Sequence, residues 1–232
     1  MSDPYYSVIL PVHNQADHIA EIVGSYDRAL QQAGLDYEFL LVVNGAGDAS
    51  LAECERLTTL LPRVRVFNEE RGGWGRAVKR GIREARGTLV CYTNSARTTE
   101  RDLTLLLLYA RAFPDVVIKA NRKIRESIQR RVGSLLYNLE CRTLFDLSCW
   151  DVNGTPKVFP RSYAALLALE SDDDMIDAEF VALCRQNDYP MIEVPIFSTR
   201  RHGGASTTSY RSALGMYVGA YRLRQKLRRR QQ

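Results

Sequence analysis

Three short polar clusters stand directly after apolar, strand-like runs: His13–Asn14–Gln15 after YYSVILPV, Asn44–Gly45 after YEFLLVV, and Asn94–Ser95–Ala96–Arg97 after LVCYT. Amide and imidazole groups donate and accept hydrogen bonds while carrying little charge, so these clusters suit ligand recognition. The third differs from the others, because CYTNSARTT has no carboxylate before Glu100 and carries a cation, Arg97. A second chemistry comes from GGWGRAVKRG, residues 72–81. There Gly72, Gly73 and Gly75 permit close backbone approach ahead of a helix, and Arg76, Lys79 and Arg80 add charge. Amides at a helix N-terminus favour an anion, so phosphate is the expected ligand class. The glycine spacing is not G-x-G-x-x-G and does not follow the first strand, and there is no G-x-x-x-x-G-K-[ST] segment. Dinucleotide oxidoreductases and P-loop proteins are set aside on that ground.

Hydrophobic periodicity supplies the elements that must hold these clusters. Strands are expected at 5–12, 37–43, 64–67, 89–93, 115–120 and 191–197. Helical stripes alternate with them, the first marked by Ile19, Ile22, Val23, Tyr26 and Leu30. This alternation predicts an α/β fold with a mostly parallel central sheet and helices on both faces. Beyond residue 121 the pattern is less regular: a long basic helix to 145, a loop DVNGTPKVF, helices near 161–169 and 176–186, and a Gly-rich loop RRHGGASTTS. Ligands of open α/β sheets bind outside the carboxyl ends of the strands, so the three polar clusters should converge on one crevice.

Composition narrows the class. A chain of 232 residues with 45% hydrophobic content can bury one large core. Its five cysteines are scattered without a C-x-x-C pair, against a zinc site or a disulfide framework and in keeping with a reducing cytoplasm. No run approaches the ~20 apolar residues of a spanning helix, and the start lacks a basic leader, so neither secretion nor membrane insertion is expected. The net charge of +5 is concentrated in GWGRAVKRGIREARG, NRKIRESIQRR, STRRHGG and RLRQKLRRR, which favours an anionic partner. No nucleic-acid recognition motif is present, so nucleic acid is not the expected partner. Residues 209–232 join an aromatic-aliphatic stripe (Tyr210, Leu214, Tyr217, Tyr221) to a run of cations. Such a helix can lie on an anionic membrane surface, or pack on the domain with a frayed basic end.

The ordered segments PVHNQADHI, LLVVNGAGDAS, RGGWGRAVKRGIREARGTLVCYTNSA, ANR, DVNGTPKVF and EVPIFSTRRHGGAS resemble the family 2 glycosyltransferases of GT-A fold. They are most similar to the polyprenyl-phosphate (dolichyl-phosphate) mannose and glucose synthase branch. The resemblance covers residues 5–208 as one GT-A domain, with 209–232 left as a basic amphipathic C-terminal helix. It implies that Pro11, His13, Asn14, Gln15 and Asn44 meet the nucleoside, with amides at Gln15 and Asn44 where the family carries acids. It puts Gly73, Lys79, Arg201 and Ser206 near the donor phosphates. It puts Arg122, Arg130 (or Arg131), Ser134 and Lys157 at the acceptor phosphate, and Asp151 in the active-site lining.

The same resemblance sets the D-x-D motif of the family, which binds Mg or Mn, at Asn94–Ser95–Ala96. Those residues lack the carboxylates a hard dication needs. A guanidinium can neutralise a diphosphate through charge-assisted hydrogen bonds, which makes Arg97, and Arg76 or Lys79 near the Gly-rich turn, the candidate substitutes; for Arg97 a surface-loop cation is the alternative. With Asn94, Arg97 and Asp151 as the catalytic set, the implied activity is inverting transfer from a UDP- or GDP-linked sugar to a polyprenyl phosphate. Weak or no metal dependence is expected, in a cytoplasmic protein peripheral to the inner membrane face. Two rivals stay open: a silent relative that binds lipid phosphate or a protein partner, and a transferase with a soluble acceptor.

Overall fold

The computed structural model describes residues 3–123, 128–197 and 210–229. The first half alternates strands and helices: β1 (Tyr6–Val12), α1 (Ile19–Gln32), β2 (Tyr37–Asn44), α2 (Ser50–Leu60), β3 (Val64–Glu69), α3 (Trp74–Glu84), β4 (Leu89–Tyr92), α4 (Glu100–Ala112) and β5 (Val117–Arg122). The second half comprises α5 (Ile128–Phe145), β6 (Lys157–Pro160), α6 (Ala164–Leu167), α7 (Ile176–Gln186), β7 (Met191–Ile196) and α8 (Tyr210–Arg229). One seven-stranded sheet runs β3-β2-β1-β4-β6-β5-β7. All pairings are parallel except those of β6, which is antiparallel to β4 and β5. This is the GT-A arrangement.

Strands β1, β2 and β4 are buried along their whole length because helices cover both faces. The alternation of side chains across the pleat divides the core. Val8, Leu10, Phe39, Leu41 and Val43 pack with α1, α2 and α4, while Ile9, Leu40 and Val42 pack with α3 and α7. The expected α1 stripe, Ile19, Ile22, Val23, Tyr26 and Leu30, is the buried face of that helix.

Two sequence expectations change, and one left open is settled. DVNGTPKVF, read as a loop, contains β6, a four-residue strand whose lysine and proline mask its pattern. The helix expected near 161–169 is a single turn, α6. The C-terminal helix does not stand apart from the domain. Ala220, Leu223 and Leu227 of α8 are buried, Tyr217 donates to the Gly133 carbonyl at 3.1 Å, and Lys226 pairs with Glu170 at 2.6 Å. Tyr221, expected on its apolar stripe, faces outward with Val218, Arg222, Arg228 and Arg229.

Candidate active site

Because every strand but β6 runs the same way, the carboxyl ends of β1, β2, β4, β5 and β7 share one edge of the sheet. The polar clusters meet there. At the β1–β2–β4 end the loops hydrogen-bond to one another. His13 Nδ1 lies 2.8 Å from the Asn44 carbonyl, which fixes it as the donor. Gly47 N donates to Asn14 Oδ1 at 2.8 Å, and Gln15 N to Ser50 Oγ at 2.8 Å. Ser95 Oγ donates to Gln15 Oε1 at 2.7 Å. Pro11 is buried beneath this lattice and contributes backbone only. Asp48 accepts from the Ala16 and Ser50 amides; burial opposes its charge, but these bonds hold its carboxyl below the ordinary range.

Asn44 occupies the centre. Its Nδ2 donates to the Val12 carbonyl at 2.9 Å, and its Oδ1 accepts from Gly73 N at 3.2 Å. The residue is buried, and its side chain ties β1, β2 and the start of α3 together. Gly45 next to it has φ +52°, and a Cβ there would come within 2.6 Å of the Gly72 backbone. Only glycine combines that left-handed turn with so close an approach.

The glycine-rich turn has its own anion. Asp172 takes Arg76 at 2.8 Å and Lys79 at 2.6 Å, and its backbone carbonyl accepts from Arg76 N at 3.1 Å. Lys79 also donates to the Glu170 carbonyl at 2.7 Å. Lys79, expected at a donor phosphate, has its ammonium on the 170–172 segment, which buried Glu179 anchors through the Glu170 and Ser171 amides.

At the loop after β4, Asn94 Oδ1 accepts from Ala96 N at 3.1 Å, while the Asn94 carbonyl accepts from Arg97 N and Thr98 N. Ser95 and Ala96 are buried and Arg97 is half-buried. A divalent ion does not fit these residues. One neutral amide oxygen already accepts a bond, the serine hydroxyl is enclosed, and alanine has no ligand. Among the described residues, no group of three or more His, Cys, Asp or Glu is placed to hold a metal.

The β5–β7 end is built differently. A cavity of ≈ 230 Å³ is lined by Asn121, Arg122, Lys123, Ser134, Leu135, Asn138, Trp150 and Asp151. Asp151, 2% exposed, receives Arg122 Nε and Nη2 at 2.8 Å each and Arg122 N at 3.0 Å. This fork leaves Asp151 as the orienter of an arginine. Burial alone would lower the Arg122 pKa, but the Asp151 carboxylate outweighs it and raises the guanidinium further. Trp150 is 62% exposed on the rim, with the Arg142 guanidinium 3.8 Å from its ring centre. Leu135, which also lines the cavity, and Leu136 and Leu139 of α5 are each exposed by more than half of their surface. Arg130 lies in α5, but its side chain falls outside the described residues, as do Arg201 and Ser206.

Lys157 changes its assignment. It is fully buried, its Nζ pairs with Asp177, and its ammonium faces the Tyr92 and Phe180 rings. Tyr92 also donates to Asp177, at 2.9 Å. Burial lowers the Lys157 pKa, with Asp177 opposing. A lysine so enclosed is a core ion, not a contact for an acceptor. Sequence reading missed Lys119, Glu193 and Asn138, which anchor the cavity from below. Lys119 did leave a signal, as a charge inside the apolar run VVIKA.

Comparison with known proteins agrees with this architecture. The family model for glycosyl transferase family 2 matches residues 7–164, more than half of the chain. The undecaprenyl-phosphate 4-deoxy-4-formamido-L-arabinose transferase of Pseudomonas fluorescens is 25% identical over 88% of this chain and 60% of its own length. The dolichol-phosphate mannosyltransferase of Pyrococcus furiosus is 32% identical over 35% of this chain and 22% of its own. The chain thus spans under two thirds of the length of these curated relatives. Glucosyl-3-phosphoglycerate synthase from Mycobacterium tuberculosis, solved with phosphoglyceric acid, superposes with a TM-score of 0.69 at 17% identity, over 95% of this chain and 78% of that one.

Proposed function

The chain belongs to glycosyl transferase family 2, and from that premise we propose that it moves a sugar from a nucleotide-sugar donor to a polyprenyl phosphate with inversion, without needing a divalent metal. The observation that carries the acceptor is the cavity lined by Arg122, Lys123 and Ser134 together with exposed Leu135 and Trp150, with Leu136 and Leu139 also exposed on the same helix as Leu135. Cations at one end and apolar surface at the other match a phosphate on a hydrocarbon chain. The named relatives that act on undecaprenyl and dolichol phosphates support the same class.

The reaction asks little acid–base chemistry of the protein. A phosphate monoester already bears an anionic oxygen, which attacks the anomeric carbon as the bond to the nucleoside diphosphate breaks. The work is to align two anions that repel each other and to stabilise charge on the leaving group. Arg122, held rigid by Asp151, takes the acceptor phosphate. Arg97, in the half-buried loop after β4, takes the leaving diphosphate, with the β1 and β2 loops shaping the nucleoside site. The outward face of α8, with Val218, Tyr221, Arg222, Arg228 and Arg229, supports peripheral contact with an anionic membrane. No helix among the described residues is long and apolar enough to cross one.

The test is transfer from UDP- and GDP-linked sugars to farnesyl phosphate, with Mg and with EDTA. Activity is expected to survive EDTA and to fall by about 10²–10³ in Arg97→Ala. Loss of all turnover in EDTA would sink the metal-free reading. Transfer to phosphoglycerate but not to farnesyl phosphate would favour a soluble acceptor instead, an alternative supported by the fold neighbour solved with phosphoglyceric acid.

A further inference from the structure

Two ions beneath the acceptor cavity take no part in the reaction as described. Lys119 on β5 is fully buried, and its Nζ donates to Glu193 Oε1 at 2.7 Å, to the Asp151 carbonyl at 2.5 Å and to the Ala120 carbonyl at 3.3 Å. Glu193 stands opposite Lys119 in the β5–β7 register. Its carboxylate accepts from the amides of Trp150 at 2.8 Å and Asp151 at 3.1 Å, and from Asn121 Nδ2 at 3.4 Å. Asp151 is therefore gripped at its amide by Glu193 and at its carbonyl by Lys119, while its carboxylate grips Arg122.

We infer that the Lys119–Glu193 pair is a positioning device for the acceptor-phosphate site, acting through the Trp150–Asp151 segment to aim the Arg122 guanidinium. The inference rests on the acceptor reading given above. Stability alone does not account for the pair, because holding a fully buried ammonium against a partly buried carboxylate yields little net stabilisation compared with apolar side chains of similar volume. Orientation does account for it. A carboxylate that accepts two successive amides, with a lysine on the following carbonyl, fixes a loop residue in one rotation. A guanidinium fork is aimed only as well as the carboxylate it meets. Asn138 completes the frame, since its Oδ1 accepts from Val152 N at 3.1 Å one residue further on.

The experiment compares Glu193→Gln, Lys119→Met and the double variant with wild type. Four quantities are read: the KM for farnesyl phosphate, the KM for the nucleotide sugar, the affinity for inorganic phosphate, and hydrogen exchange at the Trp150 and Asp151 amides. Each change should raise the acceptor KM by about tenfold or more, weaken phosphate binding in parallel, speed exchange at those two amides, and leave the donor KM within about twofold. A single variant leaves one buried charge alone and can fail to fold; the double variant removes both charges together and keeps the test open. Glu193→Asp retains the charge and should recover part of the acceptor affinity. Unchanged amide protection in the double variant, or acceptor and donor KM rising together, overturns the proposal. If wild type binds phosphate but transfers no sugar to farnesyl phosphate, the polyprenyl reading falls and phosphate affinity in the variants decides the clamp. A wild type that binds no phosphate overturns both.

Discussion

The two ends of the strand edge solve the same problem in opposite ways. At the β1–β2–β4 end, amides, hydroxyls and one imidazole are largely satisfied by each other: His13 by the Asn44 carbonyl, Asn14 by Gly47, Gln15 by Ser95, Asn44 by Val12 and Gly73. At the β5–β7 end, buried Asp151 holds Arg122 at an open cavity whose lining includes exposed Leu135 and Trp150, and partly buried Glu193 holds Lys119. Neutral groups satisfy one another pairwise and close a loop. A buried carboxylate needs a cation, and Arg122, with a quarter of its side chain exposed, retains an edge toward solvent or a ligand anion. On the proposed function, an anion is met at one end by a cation already oriented, whereas at the other a ligand must compete with bonds between neutral groups.

The largest test of this contrast is Arg122→Ala. It leaves Asp151 buried without its guanidinium partner, and breaking such a pair costs about 3 kcal/mol at the low end for one so partly exposed. Transfer to the acceptor should be lost while nucleotide affinity, by calorimetry, stays within about twofold. Loss of both affinities would mean that the ends are not independent. Asn44→Asp comes next. It turns an amide that donates to the Val12 and Val42 carbonyls into a carboxylate facing them. A cost of about 2 kcal/mol in thermal or denaturant unfolding is expected, with weaker nucleotide binding and an unchanged acceptor KM. Tighter nucleotide binding in this variant would show that Asn44 meets the ligand after all.

Lys79→Met is the smallest. Its partner Asp172 is 49% exposed, and a pair of that kind is worth about 1 kcal/mol at most. The donor KM should not move, because Lys79 is already occupied. The pair also has a pH signature. Lys79, with burial opposing, holds the Asp172 carboxyl below its ordinary 3.8, so the contribution is complete above 3.8 and is lost as pH falls through the depressed value. Variant and wild type should therefore converge in stability in strong acid, as read from unfolding curves at stepped pH.

The alternating half of the chain was legible because strand and helix periods differ sharply there: β1, β2, β4 and α1 lie where the apolar residues put them. β6 was not, since four residues containing Lys157 and Pro160 present no period. Its lysine is tolerated only because Asp177, twenty residues on in sequence, meets it in the core. The outward turn of Tyr221 on α8 was equally hidden, because the buried stripe depends on which side of α5 and α7 the helix settles. Among the site residues, sequence brought Arg122, Ser134 and Asp151 to one place. It misjudged Lys157, and it did not foresee the internal bonds of Asn44 and Lys79, because residue type alone does not say whether a polar group is satisfied within the protein.

By itself the sequence determined the α/β class, the strand-end location of the polar clusters, and the absence of carboxylates at Asn94–Ser95–Ala96. Each of these follows from residue type and local period. Only the tertiary structure decided which cations face a cavity and which face a carboxylate, for that depends on contacts between residues far apart in the chain. Arg122 and Lys157 are alike in charge and were assigned alike from sequence. The antiparallel insertion of β6 between β4 and β5 buries one against Asp177, whereas the other pairs with Asp151 and keeps a quarter of its side chain exposed.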